Sequence, residues 1–302
     1  MIVCSFTDYE YLLDTLKPAV QKGDFEVRRF ANNELFISLR TPVRMDHCLI
    51  LGSIAPPDER LLSLALLAHT LKKEEARKVT AFLPYLAYDR QDKEKPGESL
   101  AIAWVGSLLQ AAGVDEVCTI DVHSERDKQL IPIPLLSTFP ARIFANAIRE
   151  HHLIDATIVA PDNGAIPRCK SVNAALGRPT SDVPYLEKRR GEMGIRHTKM
   201  HGNAGPRAVI IDDILDTGAT LISACDNLLQ SGTSEIFIMV THGLFTGSDW
   251  RKLWSLKVNR IFCMDTIPPA KDVLEESRIT IVSVGQLLKE QIAQLNADAA
   301  IH

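Results

Sequence analysis

Residues 208 to 224 read AVIIDDILDTGATLISA, an apolar run that meets three carboxylates, Asp212, Asp213 and Asp216, and then Thr217, Gly218, Ala219 and Thr220. Apolar β-branched residues followed by small ones read as a buried strand turning into a helix. In open α/β sheets ligands sit beyond the carboxyl ends of strands, and a turn of small residues lets main-chain N–H groups at a helix N-terminus approach a phosphate. Gly218 supplies a free backbone conformation, Ala219 keeps bulk away, and Thr217 and Thr220 add hydroxyl donors. Carboxylates beside a phosphate repel it unless Asp212 and Asp213 accept from ribose hydroxyls or share a divalent cation. A sugar phosphate meets both demands. Acidic residues that merely cap a helix account for one aspartate, not for a pair at the strand end plus a third.

The rest of the chain must hold such a turn in place. Its 302 residues, 46% hydrophobic and 24% charged, suffice for two domains of ordinary size. A net charge of −4 gives no overall basic field, so neither charge nor aromatic pattern supports a nucleic-acid partner. Six cysteines are spread widely with no CxxC pair and read as reduced core thiols of a cytoplasmic protein. The opening MIVCSFTDYEYLL has neither a charged n-region nor a cleavage pattern, and no uncharged apolar stretch approaches about 18 residues. Secretion and membrane insertion are therefore not expected.

Short apolar runs alternate with segments of helical period. HCLILGSI (47–54), KVTAFLPYL (78–86) and EVCTIDV (116–122) read as strands; 58–73, with Leu61, Leu64, Ala65 and Ala68 on one face, and 98–113 read as helices. ATIVAPD (156–162), RAVIIDD (207–213), a helix from about Thr220 to Gln230, and EIFIMVTHG (235–243) repeat the pattern. The alternation predicts an α/β fold with parallel sheets, and the recurrence after roughly 160 residues suggests a duplicated domain. The stretch 130–144, with three prolines, is the expected junction. It gives domains 1–142 and 143–302, with the last helix free to pack on the first.

The 208–224 segment resembles the signature of the type I phosphoribosyltransferase superfamily. Four further segments are similar to ribose-phosphate diphosphokinase, also called phosphoribosyl diphosphate synthetase, over nearly the whole chain. FANNELFISLRTPVR (30–44) resembles that family's nucleotide loop, FLPYLAYDRQDKEKPGES (82–99) its Tyr-x-Arg-Gln-Asp run, and TIDVHS (119–124) its Asp-x-His strand end. VAPDNGAIPRCK (159–170) with EKRRGE (187–192) resembles its metal segment and catalytic loop. The resemblance implies two phosphoribosyltransferase-like α/β domains, the first contacting ATP and the second binding ribose 5-phosphate. It also implies that the C1 hydroxyl of ribose 5-phosphate attacks the β-phosphorus of MgATP and that AMP leaves.

The same resemblance assigns roles. Lys188 and Arg190 would be the catalytic cations, within a polar, aperiodic run (184–205) expected to be a mobile flap. Phe30, Asn32 and Glu34 would take the base, and Arg90, Gln91 and His123 the polyphosphate. Asp162 and His123 would stand at Mg²⁺, the oxygen of Asp162 being the better ligand. A lone histidine is more often a plain hydrogen-bonder, so the role of His123 rests on the resemblance. Asp212, Asp213, Asp216, Thr217, Gly218, Ala219 and Thr220 would hold ribose 5-phosphate. The nucleotide loop of this family reaches a neighbouring subunit, which implies a homo-oligomer, dimer-based and extending to a hexamer.

The chain also departs from the family pattern. Asn32-Asn33 stands where Asp-Gly is common, Asp89 where a small residue is expected, and Gly218-Ala219 where Ala-Gly or Gly-Gly is expected. Two other classes fit the same signature. A non-catalytic regulatory paralogue would have lost the flap cations or the acidic strand end, which this chain keeps. A base phosphoribosyltransferase would form no AMP.

Overall fold

The structure, a computed structural model, describes residues 1–90, 93–191 and 194–301; the side chains of 188–191, 194–198 and 298–301 lie outside that description. The chain divides into two units, one of residues 1–138 with 285–302 and the other of residues 139–284.

The first unit contains β1 (Ile2–Ser5), α1 (Glu10–Leu16), β2 (Gln21–Lys22), β3 (Phe25–Arg29), β4 (Leu35–Leu39), β5 (His47–Leu51), α2 (Glu59–Lys73), β6 (Lys78–Leu83), α3 (Ala101–Ala111), β7 (Glu116–Ile120), α4 (Asp127–Leu130) and β8 (Leu135–Thr138). Its sheet is parallel throughout, in the order β2-β1-β5-β6-β7-β8. The five residues of β5 and of β7 are all buried. Such strands show no alternation because helices cover both faces of the sheet. On α2, Leu61, Leu64, Leu67, Ala68 and Leu71 are buried at helical spacing. Ala65 flanks that face instead of sitting in it. β3 and β4 form a separate antiparallel hairpin.

The second unit contains α5 (Ala141–Glu150), β9 (Thr157–Val159), α6 (Ile166–Leu176), β10 (Tyr185–Gly191), β11 (Gly194–His201), β12 (Arg207–Leu215), α7 (Ala219–Gln230), β13 (Glu235–Gly243), a 3₁₀ segment (Asp249–Leu256), β14 (Val258–Met264), α8 (Lys271–Leu274) and β15 (Ile279–Val282). Its parallel sheet runs β15-β14-β13-β12-β9. Ala208, Ile210, Leu221, Cys225, Leu228, Ile238 and Trp250 belong to one buried core cluster. The last helix, α9 (Gly285–Ile301), returns to the first unit, where Gln291 Nε2 donates to Thr138 Oγ1 at 2.7 Å. The fold class expected from the sequence, two α/β units with mainly parallel sheets flanked by helices, is the one found.

Two expectations are corrected. β12 does not stop at residue 213 but runs to Leu215, so Asp212 and Asp213 are strand residues and not a strand terminus. Pairing with β13 extends to Leu215 opposite Gly243, and these backbone bonds override the poor strand propensity of aspartate. The run 184–205, which shows no period in sequence, is largely strand: among the described residues β10 and β11 pair as an antiparallel ribbon, with an irregularity between Glu187 and Lys188. A two-stranded ribbon lacks the apolar period-two pattern by which a half-buried strand is read from sequence. Among the described residues no helix is long and apolar enough to cross a membrane.

Candidate active site

In the second unit β12 outlasts its neighbour β9, which pairs only with residues 208 to 210, so Asp212 and Asp213 continue along β13 alone. Both are buried, 8% and 5% exposed. The main-chain nitrogen of Asp213 donates to Asp212 Oδ1 at 3.0 Å, and Arg168 Nη2, from α6, stands 3.5 Å from Asp213 Oδ2. Burial pushes the Asp212 carboxyl well above the usual range. The charges of Asp213 and Asp162 and a side-chain hydrogen bond with Asp213 push the same way, against Arg168. Burial beside a like charge favours the protonated form of Asp212, and a protonated carboxyl can donate as well as accept. Asp162 caps the 3₁₀ turn Asn163–Ala165, its Oδ1 accepting from the nitrogen of Ala165 at 3.2 Å.

The turn between β12 and α7 is built around Gly218. Its φ of +87° lies in the left-handed region, and a Cβ there would stand 2.9 Å from the Cα of Trp250. Glycine is required on both grounds. No side chain caps α7 and its first turn carries no acidic residue, which leaves the positive helix end open to an anion. Thr217 and Ala219 are exposed, while Asp216 and Thr220 are half-buried. The departure at 218–219 therefore puts the glycine where the backbone needs it and a small residue where the surface is open.

The first unit brings three loops to the carboxyl ends of its strands. The hairpin β3–β4 turns through residues 30–34, with Asn33 at φ +73°, a conformation asparagine tolerates better than other non-glycine residues. Asn32 Oδ1 accepts from the nitrogen of Glu34 at 3.3 Å, so the amide carbonyl closes the turn. Phe30 is 55% exposed and meets Phe36 edge-on at 5.3 Å. Arg29 bonds Glu59, and the Tyr88 hydroxyl donates to Asp58 Oδ1 at 2.6 Å. That bond, then burial, raises the phenol of Tyr88 to about 12. The start of α2 thus anchors both the hairpin and the loop that carries Arg90. Arg90 itself is exposed, next to a buried Asp89 whose Oδ2 accepts from the nitrogen of His123 at 3.3 Å; His123 is exposed. Asp89 therefore faces inward and ties the Arg90 loop to the His123 loop.

Gln91 and the side chains of Lys188 and Arg190 lie outside the described residues. The ribbon that carries the two cations is fastened at its base, where the nitrogen of Leu186 donates to the carbonyl of Ala160 and the nitrogen of Ala160 to the carbonyl of Pro184. No group of three His, Cys, Asp or Glu side chains able to hold a metal occurs among the described residues. The oxygen of Asp162 suits magnesium as one carboxylate beside substrate phosphates, the arrangement this ion favours; the imidazole of His123 suits it poorly. Sequence reasoning missed Arg168, whose position six residues after Asp162, at the start of a helix, was the one available signal, and Trp250, which sequence spacing does not connect with Gly218.

Residues 10–113 match the family model of the N-terminal domain of ribose phosphate pyrophosphokinase, and residues 180–301 that of the phosphoribosyl synthetase-associated domain. The ribose-phosphate pyrophosphokinase of Agrobacterium fabrum is 30% identical over 276 residues, 90% of this chain and 89% of that one. That of Rhizobium meliloti is 30% identical over 283 residues, 92% and 91% of the two chains. Phosphoribosylpyrophosphate synthetase from Mycobacterium smegmatis has the same fold, with a TM-score of 0.86, 24% identity and coverage of 98% and 99%. With this likeness spanning both units, the chain belongs to the ribose-phosphate pyrophosphokinase family.

Proposed function

We propose that this protein is a transferase that makes 5-phosphoribosyl 1-diphosphate and AMP from ATP and ribose 5-phosphate. The observation that carries the reading is the uncapped, acid-free N-terminus of α7, entered through Gly218 and preceded by the buried Asp212–Asp213 pair. Main-chain amides and the hydroxyls of Thr217 and Thr220 take the 5-phosphate, while Asp212, Asp213 and Asp216 accept from ribose hydroxyls. Phe30, Asn32 and Glu34 take the adenine; Arg90, Gln91 and His123 take the polyphosphate. Lys188 and Arg190 neutralise charge on the leaving AMP oxygen.

The C1 oxygen bonds to the β-phosphorus, the bond from that phosphorus to the bridging oxygen breaks, and the C1 hydroxyl proton is released. A magnesium ion with Asp162 among its ligands would neutralise polyphosphate charge when bound. The protein works in the cytoplasm as a homo-oligomer built on dimers, with no nucleic acid and no membrane as partner.

The test is an assay of AMP and phosphoribosyl diphosphate with ATP, GTP or CTP, with and without a chelator. Equal amounts of both products from ATP, abolished by the chelator, are expected. Absence of AMP, with phosphoribosyl diphosphate consumed when a base is supplied, would make the protein a base phosphoribosyltransferase.

A further inference from the structure

The sugar-phosphate turn does not hold its own shape. The segment that follows β13 is laid along it: the nitrogens of Leu244 and Phe245 both donate to the carbonyl of Leu215, at 2.8 and 3.1 Å, and the nitrogen of Thr246 donates to the carbonyl of Asp216 at 3.1 Å. Phe245 makes these contacts at φ +50°, a conformation that strains a bulky side chain and persists only where its surroundings fix it. What fixes it is Trp250. The indole is fully buried and receives Phe245 edge-on at 4.9 Å. Its backbone lies so close to Gly218 that a methyl group there would stand 2.9 Å from the Trp250 Cα and 3.0 Å from its Cβ. Arg251 lies with its guanidinium carbon 4.3 Å from the centre of the Trp250 ring and is itself paired with Asp272 at 2.7 Å.

We infer that Trp250 is a positioning residue for the sugar-phosphate site: with Phe245 it forms the floor on which the turn 216–220 rests, and so sets affinity for ribose 5-phosphate. The inference depends on the reading of that turn as the 5-phosphate site. A helix end binds an anion well only when its amides are already aimed, so a floor that holds Gly218 in the left-handed region contributes to binding without touching the ligand. The indole N–H has no acceptor among the described residues. Trp250 therefore acts through its shape, and a phenyl ring should replace it in large part.

Two variants and one spectroscopic measurement test this. Trp250→Leu is expected to raise KM for ribose 5-phosphate about tenfold or more while KM for ATP stays within about twofold; Trp250→Phe is expected to recover most of the loss. In the full-length Trp104→Phe/Trp254→Phe chain, the emission of the remaining Trp250 is expected to shift when ribose 5-phosphate saturates the protein. A folded Trp250→Leu protein with unchanged KM for ribose 5-phosphate overturns the inference. So does Trp250 emission that stays fixed at saturating ribose 5-phosphate, and this holds even if the leucine variant does not fold. Failure of the wild-type protein to bind ribose 5-phosphate or to form AMP would instead refute the underlying assignment of the site.

Discussion

The carboxylate of Asp89 accepts a hydrogen bond from the main-chain nitrogen of His123 at 3.3 Å, which joins two loops that leave different strands of the first sheet. Asp89 is 3% exposed and sits between Tyr88, at φ +70°, and the exposed Arg90. A buried carboxylate in that place ties the two loops together and is kept from the surface that Arg90 presents. Asp89→Ala is expected to raise KM for ATP about tenfold, the scale of one hydrogen bond to a charged group, with KM for ribose 5-phosphate unchanged. Asp89→Asn should recover part of the loss. Steady-state kinetics with each substrate varied in turn decides the matter; an equal rise in both constants would point to general loosening.

Catalytic and binding roles separate in kinetics. Lys188→Ala should lower kcat by orders of magnitude with little change in ribose 5-phosphate binding, since in the proposed reaction its charge would act where the AMP oxygen becomes negative. Asp216→Asn and Thr217→Val should mainly raise KM for ribose 5-phosphate. Initial rates together with equilibrium binding of ribose 5-phosphate distinguish these outcomes.

A buried polar chain in the first unit makes stability depend on acid. Thr80 Oγ1 donates to Glu116 Oε1 at 2.7 Å, so it must accept from Nε2–H of His47, also at 2.7 Å. His47 is therefore the neutral Nε2–H tautomer, and its buried Nδ1 has no partner among the described residues. Burial first, then the charge of Lys78, lowers its pKa from 6.5 to about 4. Between those values the unfolded chain binds the proton and the folded chain does not. Stability from this group is thus full above pH 6.5 and is lost as the pH falls towards 4, by up to about 3 kcal/mol. Urea unfolding at pH 7.5, 5.5 and 4.5 should show the decline, and His47→Gln should flatten the part of it that His47 causes.

Thiol chemistry should be silent in the native state. All six cysteines are free and buried. Burial is the first cause that pushes Cys48 up to about 11, and Cys4, Cys118 and Cys263 up to about 12; Cys169 and Cys225 rise as well. Ellman's reagent at pH 8 is expected to find almost no thiolate in the folded protein and all six groups in denaturant. Rapid labelling of one native thiol would show that its surroundings open readily.

The sequence made the helices and central strands legible because burial leaves a period: α2 and α7 carry apolar residues at helical spacing, and β5 and β7 are short apolar runs bounded by turn residues. It hid the two hairpins. Neither β3 nor β4 has a buried residue, so neither shows an apolar alternation. Of the proposed site, the turn 216–220 was visible as spacing, since its residues are neighbours in sequence. Arg168 on Asp213, Trp250 beneath Gly218 and Asp89 behind His123 were not, because each depends on contacts between segments that only folding brings together.

The return of α9 to the first unit gives synthesis an order of events. Residues 139–284 form an insertion within a body whose closing helix is synthesised after them. Nascent chains can finish the inserted body while the outer one still lacks the helix that packs on α1. Premature termination near residue 284 would accordingly yield a polypeptide with the turn 216–220 formed and the N-terminal body exposed to chaperones and proteases.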